Sequence, residues 1–344
     1  MKHSIVYAEQ GIYAGWPANH GAWQWGNEFL VGFLRGKYKI TSMHNIEEPF
    51  EKVFARSLDG GETWKLERPK TIDGFDCLSP TVPPPFYLMD RDTIIRCCGV
   101  YDHGGDECNE EGGFYLSRDR GHNWEGPYQF VGDMLHWYAG GTDINTSRTR
   151  VLGNLVFLSK GLSQMWGQDS TFCAIHNGEE FIHRGDVCGD DARAVMPAVA
   201  FCNFGGRIVA TLRRRKSGKR NGWIDSVYSD DGGRTWSQPM FVADTGGRNG
   251  NPPALISSLD DRLICAYGNR DEGSMCYSIS LNGMHWTSSE LIRKGNDDSY
   301  GGYLDIGYPQ LFMRNDGVPV CVYYWTEPDR LHQHIVATAM EELA

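Results

Sequence analysis

The chain has 344 residues, of which 42 are glycine and 12% are aromatic, a composition that is typical of a turn-rich all-β protein. Its formal net charge of −11 argues against nucleic acid or an anionic membrane surface as a partner. No apolar run approaches the roughly 18 residues that a membrane-spanning helix needs, so the sequence predicts no membrane span.

A short turn motif recurs along the chain. The segments 57–64, 117–124 and 229–236 each read Ser-x-Asp-x-Gly-x-Thr-Trp, with Asn for Thr in the second, and 280–286 is a shortened copy. The Asp can accept hydrogen bonds from backbone N–H groups ahead of it, and the Gly tolerates positive φ, so each copy predicts a β-hairpin turn. The middle gap is about twice as long as the others, which predicts two repeat units there, one of them without the motif.

A second repeat has the same period. A residue followed by proline precedes a strand-like run at 16–17, 79–80, 196–197, 251–252 and 308–309, and Asp143 stands where the sixth entry is expected. Proline is tolerated at the first position of a strand, so these steps mark the entries of successive units. Units of this length predict an all-β, six-bladed β-propeller of four-stranded antiparallel blades, which forms a single domain over residues 1–344.

The predicted blades follow one another along the chain. After its entry, each blade has a second apolar strand, over 28–35, 93–98, 155–158, 207–212, 263–267 and 320–325 in blades one to six. The ring is closed either by a final strand over 334–338 or by the segment before blade one, because closure removes exposed sheet edges.

The antiparallel order predicts one end of the ring where side chains converge. The start of each first strand and the end of each second strand lie at this end, the mouth, and the turn motifs lie at the other. Second strands end at Arg35, at Arg213 and Arg214, and at Arg270, so arginines from three blades are expected at the mouth. Planar guanidinium groups suit the bidentate capture of a carboxylate, sulfate or phosphate.

The turn motif is the Asp-box, or BNR repeat, and six blades that carry it resemble the sialidase (neuraminidase) superfamily over nearly the whole chain, from about residue 11 to residue 338. In that superfamily three arginines hold the substrate carboxylate, a tyrosine paired with a glutamate is the nucleophile, and an aspartate is the acid/base. The resemblance therefore implies a glycoside hydrolase that removes a terminal, acidic sugar.

The resemblance also implies roles for individual residues. Arg270 is similar to one arginine of the triad, and one of Arg213 or Arg214 is similar to another. Tyr308 sits like the nucleophilic tyrosine. Arg35 sits like the arginine that helps to bind substrate near the acid/base.

Two positions depart from the family pattern. Trp16 stands where the third arginine of the triad is expected, which makes it a candidate substrate-binding residue instead. Pro197 and Ala198 stand where the glutamate that activates the tyrosine is expected. A phenol needs a base or a cationic surrounding to react at neutral pH. Another sugar acid, such as a uronic acid or a Kdo-like residue, therefore fits the remaining arginines as well.

Four residues are candidates for the proton donor. Glu47 and Glu48 lie about ten residues before the first Asp-box, where the resemblance implies the acid/base, and His44 lies just upstream. Asp305 lies in an apolar strand entry of blade six, where we expect desolvation to raise its pKa. Asp143, at the mouth position of blade three, is a further candidate for substrate binding.

The sequence predicts neither a metal nor a cofactor. No cluster of residues has metal-ligand spacing, and no phosphate-cradling glycine loop is present. The ten cysteines include no Cys-x-x-Cys pair, and most lie in apolar stretches such as 263–267, which favours buried, reduced thiols over disulfides. Reduced thiols and the lack of a visible signal peptide predict a cytoplasmic protein, or a secreted or periplasmic one if a leader has been removed.

Three functions remain open at this stage. The first is an exo-acting glycoside hydrolase, with Tyr308 as nucleophile or transition-state stabiliser. The second is a polysaccharide lyase, in which arginine neutralises a uronate carboxylate while Tyr308 or a histidine removes the C5 proton. The third is a non-catalytic carbohydrate-binding propeller. All three have a carbohydrate as the partner, and they leave the sugar, the linkage and the oligomeric state open.

Overall fold

The structure, a computed structural model, describes residues 1–40, 44–69, 80–98, 113–133, 143–161, 170–202, 206–216, 218, 221–247, 249–295, 305–327 and 330–344. Within them the regular secondary structure is almost entirely β-strand, with two short 3-10 turns at Pro17–Asn19 and Glu341–Leu343. Among the described residues, no helix has the length and apolar character to cross a membrane.

The strands are as follows. In the first half of the chain they are β1 (Lys2–Tyr7), β2 (Ile12–Gly15), β3 (Ala22–Trp25), β4 (Glu28–Tyr38), β5 (Ile46–Ser57), β6 (Lys65–Glu67), β7 (Ile94–Cys98), β8 (Gly113–Ser117), β9 (Glu125–Tyr128), β10 (Asp143–Leu152), β11 (Leu155–Gly161), β12 (Ser170–His176) and β13 (Phe181–Asp186). In the second half they are β14 (Arg193–Cys202), β15 (Arg207–Arg215), β16 (Trp223–Ser229), β17 (Met240–Asp244), β18 (Ala254–Ser257), β19 (Leu263–Asn269), β20 (Ser274–Ser280), β21 (Glu290–Lys294), β22 (Gly307–Met313), β23 (Pro319–Glu327) and β24 (Arg330–Ala339).

These strands form six antiparallel sheets, one for each blade, which confirms the predicted six-bladed propeller. Blades three, four and five have the strand orders β10-β11-β12-β13, β14-β15-β16-β17 and β18-β19-β20-β21. Blade one has the order β2-β4-β5-β6, and β3 also pairs with β4. Because β2 and β3 pair with opposite ends of β4, they are two halves of one inner strand, interrupted by the 3-10 turn at 17–19.

The two ends of the chain close the ring together. Blade six has the order β1-β24-β23-β22, so its outermost strand comes from the N-terminus and the other three from the C-terminus. The register pairs Lys2 with Ala339 and Ile5 with Val336. Both segments that the sequence offers for closure therefore take part in it, and blade six gains a full set of strands.

The Asp-boxes form the expected turns, as the first one shows. Ser57 Oγ accepts a hydrogen bond from Gly61 N at 2.8 Å, and Asp59 accepts one from Thr63 N at 2.9 Å. Although partial burial opposes ionisation, the hydrogen bonds from Thr63 lower the pKa of Asp59 to about 2. Trp64 Nε1 donates to Gly61 O at 3.0 Å, which fixes the indole against the turn. Each box is thus a self-contained turn.

Blade three is the unit within the long middle gap that has no box. Its turn between β12 and β13 uses Asn177, whose Oδ1 accepts hydrogen bonds from Glu179 N at 3.0 Å and Glu180 N at 2.9 Å. An Asn side chain can nucleate such a turn in the way that Asp does. The motif is lost from this blade, but the turn chemistry is kept.

Blade two differs from the prediction. Its sheet has the order β7-β8-β9, three strands among the described residues. The proline step at 79–80 does not begin an inner strand: Thr81 forms a parallel bridge with Tyr128 of the outer strand β9, and Gln129 N donates to Thr81 O at 2.9 Å. The prediction of an inner strand entering at this step was wrong, because a proline is equally compatible with a segment that runs along an outer sheet edge. Consequently β7 is the innermost described strand of this blade.

Aromatic side chains pack the blades against one another. Phe29 of blade one stacks on Phe312 of blade six with ring centroids 4.6 Å apart. Phe54 of blade one stacks on Trp124, the box tryptophan of blade two, at 5.6 Å. Such pairs contribute about 0.5–1.5 kcal/mol each beyond the apolar area that they bury. The core therefore lies between the sheets, and the mouth is held by a rigid ring.

Candidate active site

Three proline steps share an uncommon backbone conformation. Trp16, Met196 and Tyr308, each directly before a proline, have φ values of 56°, 59° and 53°. The left-handed region is unfavourable for residues with a large side chain, and proline restricts the preceding residue further. All three side chains are buried in one hydrophobic cluster. Backbone strain that recurs in three blades and converges on one place is typical of a functional site.

Asp305 lies at the centre of a network of polar groups. Its carboxylate accepts hydrogen bonds from the hydroxyl of Tyr13 at 2.7 Å and from the hydroxyl of Tyr324. His44 Nδ1 lies 3.2 Å from Asp305 Oδ2, and Arg270 Nη2 lies 3.6 Å from Oδ1. Asp305 is only 4% exposed. Groups from blades one, five and six therefore meet at one buried carboxylate.

Two arginines flank Tyr308. Arg213 Nη1 donates to the Tyr308 hydroxyl at 3.3 Å, and the central guanidinium carbons of Arg213 and Arg270 lie 5.9 Å and 5.6 Å from the centre of the ring. Arg270 Nη2 also donates to the hydroxyl of Tyr324 at 3.0 Å. Both arginines are buried. Two buried cations beside one phenol stabilise negative charge at that place.

The backbone of Tyr308 is fixed by the neighbouring blade. Tyr308 N donates to Asn251 Oδ1 at 3.0 Å, and Asn251 Nδ2 donates to Ile306 O at 2.8 Å. Gly307 between them has a φ of 107°, and a Cβ added there would lie 2.3 Å from Asn251 Nδ2. Only glycine fits this approach. Asn251, recognised from the sequence merely as a blade entry, is thus a positioning residue for Tyr308.

The charges of this cluster shift the pKa of its members. Burial alone would raise the pKa of Asp305, but the hydrogen bond and charge of His44, the charge of Arg270 and the Tyr324 hydroxyl outweigh it and lower this pKa. Burial disfavours the imidazolium form of His44, yet the hydrogen bond and charge of Asp305 raise the His44 pKa. Desolvation does act in the expected direction, but the expectation of a raised pKa for Asp305 was wrong, because the sequence does not show cations that come from other blades.

His44 lies at the accessible edge of the cluster. Its side chain is 22% exposed, whereas that of Asp305 is 4% exposed. The ring of Trp16 meets the His44 ring edge-on at 4.9 Å and lies 5.1 Å from the ring of Tyr13. Trp16 and Asp305 together orient the imidazole, which leaves His44 in a position to exchange a proton with a ligand at the mouth.

Three of the candidates from the sequence lie outside this cluster: Arg35 and Glu47 take part in other ion pairs, and Glu48 lies on the surface. Arg35 donates to the hydroxyl of Tyr7 at 2.5 Å and pairs with Glu51. Glu47 pairs with Lys39 at 2.7 Å, and Glu48 is exposed to solvent. None of the contacts described for these three reaches the Asp305 cluster. Both glutamates lie at the start of β5, where Glu47 is opposite Lys37, whereas the side chain of His44, just before this strand, contacts Asp305.

Arg213 and Arg214 are adjacent in β15 but point to opposite faces of the sheet, as successive strand residues do. Arg214 pairs with Asp190 and with Asp225 Oδ2, the latter at 3.1 Å, and it is buried between strands of blade four. Of the two, only Arg213 joins the cluster. Asp143 starts β10 opposite Gly161, and its side chain lies outside the described residues.

From the sequence, neither Tyr13 nor Tyr324 was predicted to take part in the site. Burial and the charge of Asp305 raise the pKa of Tyr13 well above its ordinary value, so it remains a hydrogen-bond donor. A buried tyrosine in a strand usually indicates core packing, and nothing in its neighbours along the chain reveals a carboxylate from another blade. Within the described part of the chain, no group of three or more His, Cys, Asp or Glu residues is arranged to hold a metal.

Comparisons with known proteins concern mainly the fold. Residues 227–238 match the family model of the BNR/Asp-box repeat. No curated protein matches the chain in sequence. Among solved structures, a protein of unknown function from Dyadobacter fermentans is 18% identical with a TM-score of 0.69, over 98% of this chain and 97% of that one.

Two similar structures are named as glycoside hydrolases. The Hadza microbial sialidase Hz136 is 16% identical with a TM-score of 0.61, and the match covers 96% of this chain and 66% of that one. The GH93 α-L-arabinofuranosidase of Fusarium graminearum, solved with arabinobiose, is 13% identical with a TM-score of 0.57, over 98% of this chain and 96% of that one. These likenesses confirm the fold that the sequence predicts: the chain is a six-bladed β-propeller with Asp-box turns.

Proposed function

We propose that this protein is a glycoside hydrolase that removes a terminal, carboxylate-bearing sugar at the mouth of the propeller. The observation that carries the proposal is the position of Tyr308 between two buried arginines, with the His44–Asp305 pair in the same cluster. The similar structures named as a sialidase and an arabinofuranosidase support glycoside hydrolysis as the reaction class.

Arg213 and Arg270 hold the substrate carboxylate in this proposal. Both are buried and approach Tyr308 from blades four and five. Hydrogen bonds to a charged group contribute about 1.5–3 kcal/mol each when they are shielded from water. Arg213 is itself held in place, because it donates to Asn249 O at 2.9 Å and to Gly250 O at 3.1 Å. A fixed guanidinium loses little conformational entropy when the ligand binds.

Tyr308 faces the anomeric carbon of the bound sugar. Its phenolic oxygen stabilises the positive charge of the oxocarbenium-like transition state, or acts as the nucleophile after the phenol has given its proton to solvent. The guanidinium of Arg213, 3.3 Å from that oxygen, favours the negative charge that develops on it. The left-handed backbone of Tyr308, held by Asn251, keeps the ring in this orientation.

His44 is the proton donor in this proposal. The raised pKa keeps a larger fraction of the imidazole protonated near neutral pH, as a general acid requires. It gives its proton to the glycosidic oxygen as the bond to the leaving group breaks, and it takes a proton from the water that then attacks the anomeric carbon and releases the sugar. Asp305, with a lowered pKa, remains ionised and stabilises the imidazolium before that transfer. Glu47 and Glu48, the other candidates, belong to the ion pairs and the exposed surface of β5.

Turnover on a panel of aryl glycosides tests the proposal. The panel contains sialic acid, Kdn, Kdo and glucuronic acid, with rhamnose and arabinofuranose as the neutral sugars. We expect release of the aryl group from at least one acidic sugar and not from the neutral ones. Release from a neutral sugar alone would show that the two arginines do not serve as a carboxylate clamp.

A lyase is the second candidate, and one observation favours it. The family pattern places the glutamate that activates the tyrosine at the entry of blade four. Here that entry brings Met196, and not a carboxylate, to Arg213: Nη1 of the arginine lies 2.9 Å from the Met196 sulfur. In an elimination, Arg213 and Arg270 would neutralise a uronate carboxylate while Tyr308 removed the C5 proton. The ultraviolet absorbance of an unsaturated product on uronate oligosaccharides would distinguish this reaction from hydrolysis. The raised pKa of His44 suits a proton donor better than a base, which is why hydrolysis ranks first.

A further inference from the structure

A second polar site lies between blades one, two and three. It is a cavity of about 80 Å³ lined by side chains that include His20, Arg96 and Arg150. His20 follows the 3-10 turn that interrupts the inner strand of blade one, Arg96 lies in β7, and Arg150 lies in β10.

The pairing of Arg96 with His20 fixes the form of the histidine. Arg96 is 3% exposed and His20 is 1% exposed, and Arg96 Nη2 lies 3.1 Å from His20 Nδ1. A guanidinium can only donate, so Nδ1 must accept. The imidazole is therefore neutral with its N–H at Nε2. This geometry places one buried cation and a second N–H donor on the same wall.

Arg150 supplies the second cation of the cavity. Its Nη2 donates to Gln310 Oε1 at 3.0 Å, and Gln310 Nε2 donates to Pro17 O at 3.1 Å. Burial lowers the pKa of Arg150 to about 10, so the side chain is still protonated at neutral pH and brings a positive charge to the cavity.

The cavity has room for a small polyatomic anion. A single water needs about 10–15 Å³ of such space, so about 80 Å³ accommodates several waters or one oxyanion. Guanidinium groups bind planar and tetrahedral oxyanions through paired N–H donors. Two arginines from adjacent blades are therefore suited to one oxyanion between them, in a protein whose formal net charge is −11.

The geometry points to an oxyanion-binding site in this cavity, with Arg96 and Arg150 as its cationic ligands. The site is distinct from the Asp305 cluster, and the inference does not depend on the proposed hydrolase activity. Gln310 links the two places, because it lies in the same strand as Tyr308 and contacts both Arg150 and the backbone after Trp16. The ligand is a sulfate- or phosphate-like ion, or the acidic group of a second sugar that enters from the mouth.

Thermal unfolding in sulfate and in chloride at equal ionic strength tests the inference. We expect sulfate to raise the melting temperature of the wild type above its value in chloride. The apparent sulfate affinity should fall at least about tenfold in Arg96→Gln and in Arg150→Gln, as for the loss of a charged ligand. Glucuronate in place of sulfate distinguishes the two sources, since a sugar-derived ligand should stabilise the wild type at lower concentration than sulfate does.

Two control variants separate this site from other cations. Arg270→Gln removes a cation from the Asp305 cluster, and Arg234→Gln removes an exposed charge in the Asp-box turn of blade four. Arg234→Gln should keep the whole sulfate effect, and Arg270→Gln should keep the part of it that Arg96→Gln and Arg150→Gln remove. An effect that disappears in Arg270→Gln, or that is unchanged in both Arg96→Gln and Arg150→Gln, would overturn the inference. So would equal effects of sulfate and chloride on the wild type.

A crystallographic measurement on the wild type covers the case in which the cavity variants do not fold. Selenate is a tetrahedral oxyanion with a strong anomalous signal, so crystals soaked in selenate locate it directly. We expect an anomalous peak between the guanidinium groups of Arg96 and Arg150. Peaks confined to the Asp305 cluster or to the protein surface would contradict the inference.

Discussion

The imidazole of His44 lies 3.2 Å from the carboxylate of Asp305, although 261 residues separate them in the chain. One residue comes from the loop before β5 in blade one, and the other comes from the entry of blade six. Ring closure through β1 and β24 makes these blades neighbours. The candidate acid/base pair therefore exists only in the closed propeller, and its proton chemistry depends on the seam where the two ends of the chain meet.

Replacing Asp305 with Asn should change the pH dependence of turnover. The charge of Asp305 raises the His44 pKa, so its removal should lower that pKa, and the basic limb of the kcat profile should move to lower pH. We expect kcat near neutral pH to fall about 10²- to 10⁴-fold, the usual contribution of a general acid. Glu48→Gln, at an exposed position outside the cluster, is the control and should leave the profile unchanged. A D305N enzyme with the wild-type profile would remove His44 from its proposed role.

Arg213 and Arg214 offer a matched pair of substitutions in one strand. Arg213→Gln should raise KM for an acidic substrate by about ten- to a hundredfold, because one charged hydrogen bond to the carboxylate is lost. Arg214→Gln should instead lower the free energy of unfolding by about 3–5 kcal/mol, since it leaves Asp225 and Asp190 without their buried partner. Steady-state kinetics and urea unfolding of both variants check the assignment. The reverse pattern would mean that Arg214 is the substrate ligand.

The sequence predicted features that repeat locally and missed those that depend on contacts between blades. The Asp-box at 57–64 contains all its turn-forming partners, so spacing alone revealed the fold. Tyr308 and Arg270 followed from their phase within the repeat. The choice between Arg213 and Arg214 did not follow from the repeat. A register shift between Val195 and Ala198 alters the pairing of β14 with β15 near these residues.

Contacts across blades also explain two wrong predictions, the raised pKa of Asp305 and the inner strand of blade two that was expected to begin at 79–80. The direction of the Asp305 pKa shift depends on His44 and Arg270, which reach it from two other blades. The strand pairing of Thr81 could not be predicted either, since its partner Tyr128 lies far along the chain in an outer strand. Periodicity locates a residue within its own unit, but it does not report which neighbour that unit faces.

Gly307→Ala should impair the site and also lower the free energy of unfolding by about 1–3 kcal/mol, because the added Cβ overpacks a buried position. A Cβ at this position would lie 2.3 Å from Asn251 Nδ2, so Asn251 must move and its hydrogen bond to Tyr308 N is lost. We expect a decrease in kcat of at least about tenfold, as for other displacements of positioned catalytic groups. Gly206→Ala is the matched control: its φ is 79°, and nothing lies within 4 Å of the added Cβ. The control carries the backbone strain of about 1 kcal/mol without disturbing Tyr308.

His176 should make the stability of the protein depend on pH. It is 3% exposed and stacks on Phe86 with ring centroids 4.1 Å apart, and burial lowers its pKa to about 4. The unfolded chain, with an ordinary histidine pKa of about 6.5, binds more protons between these values. Stability is therefore full above about pH 6.5 and decreases as the pH falls toward 4, by up to about 3 kcal/mol. His176→Phe should flatten this dependence in urea unfolding from pH 7 to pH 4, whereas replacing the exposed His285 with Gln should not. An equal slope in H176F and wild type would show that His176 does not cause the loss.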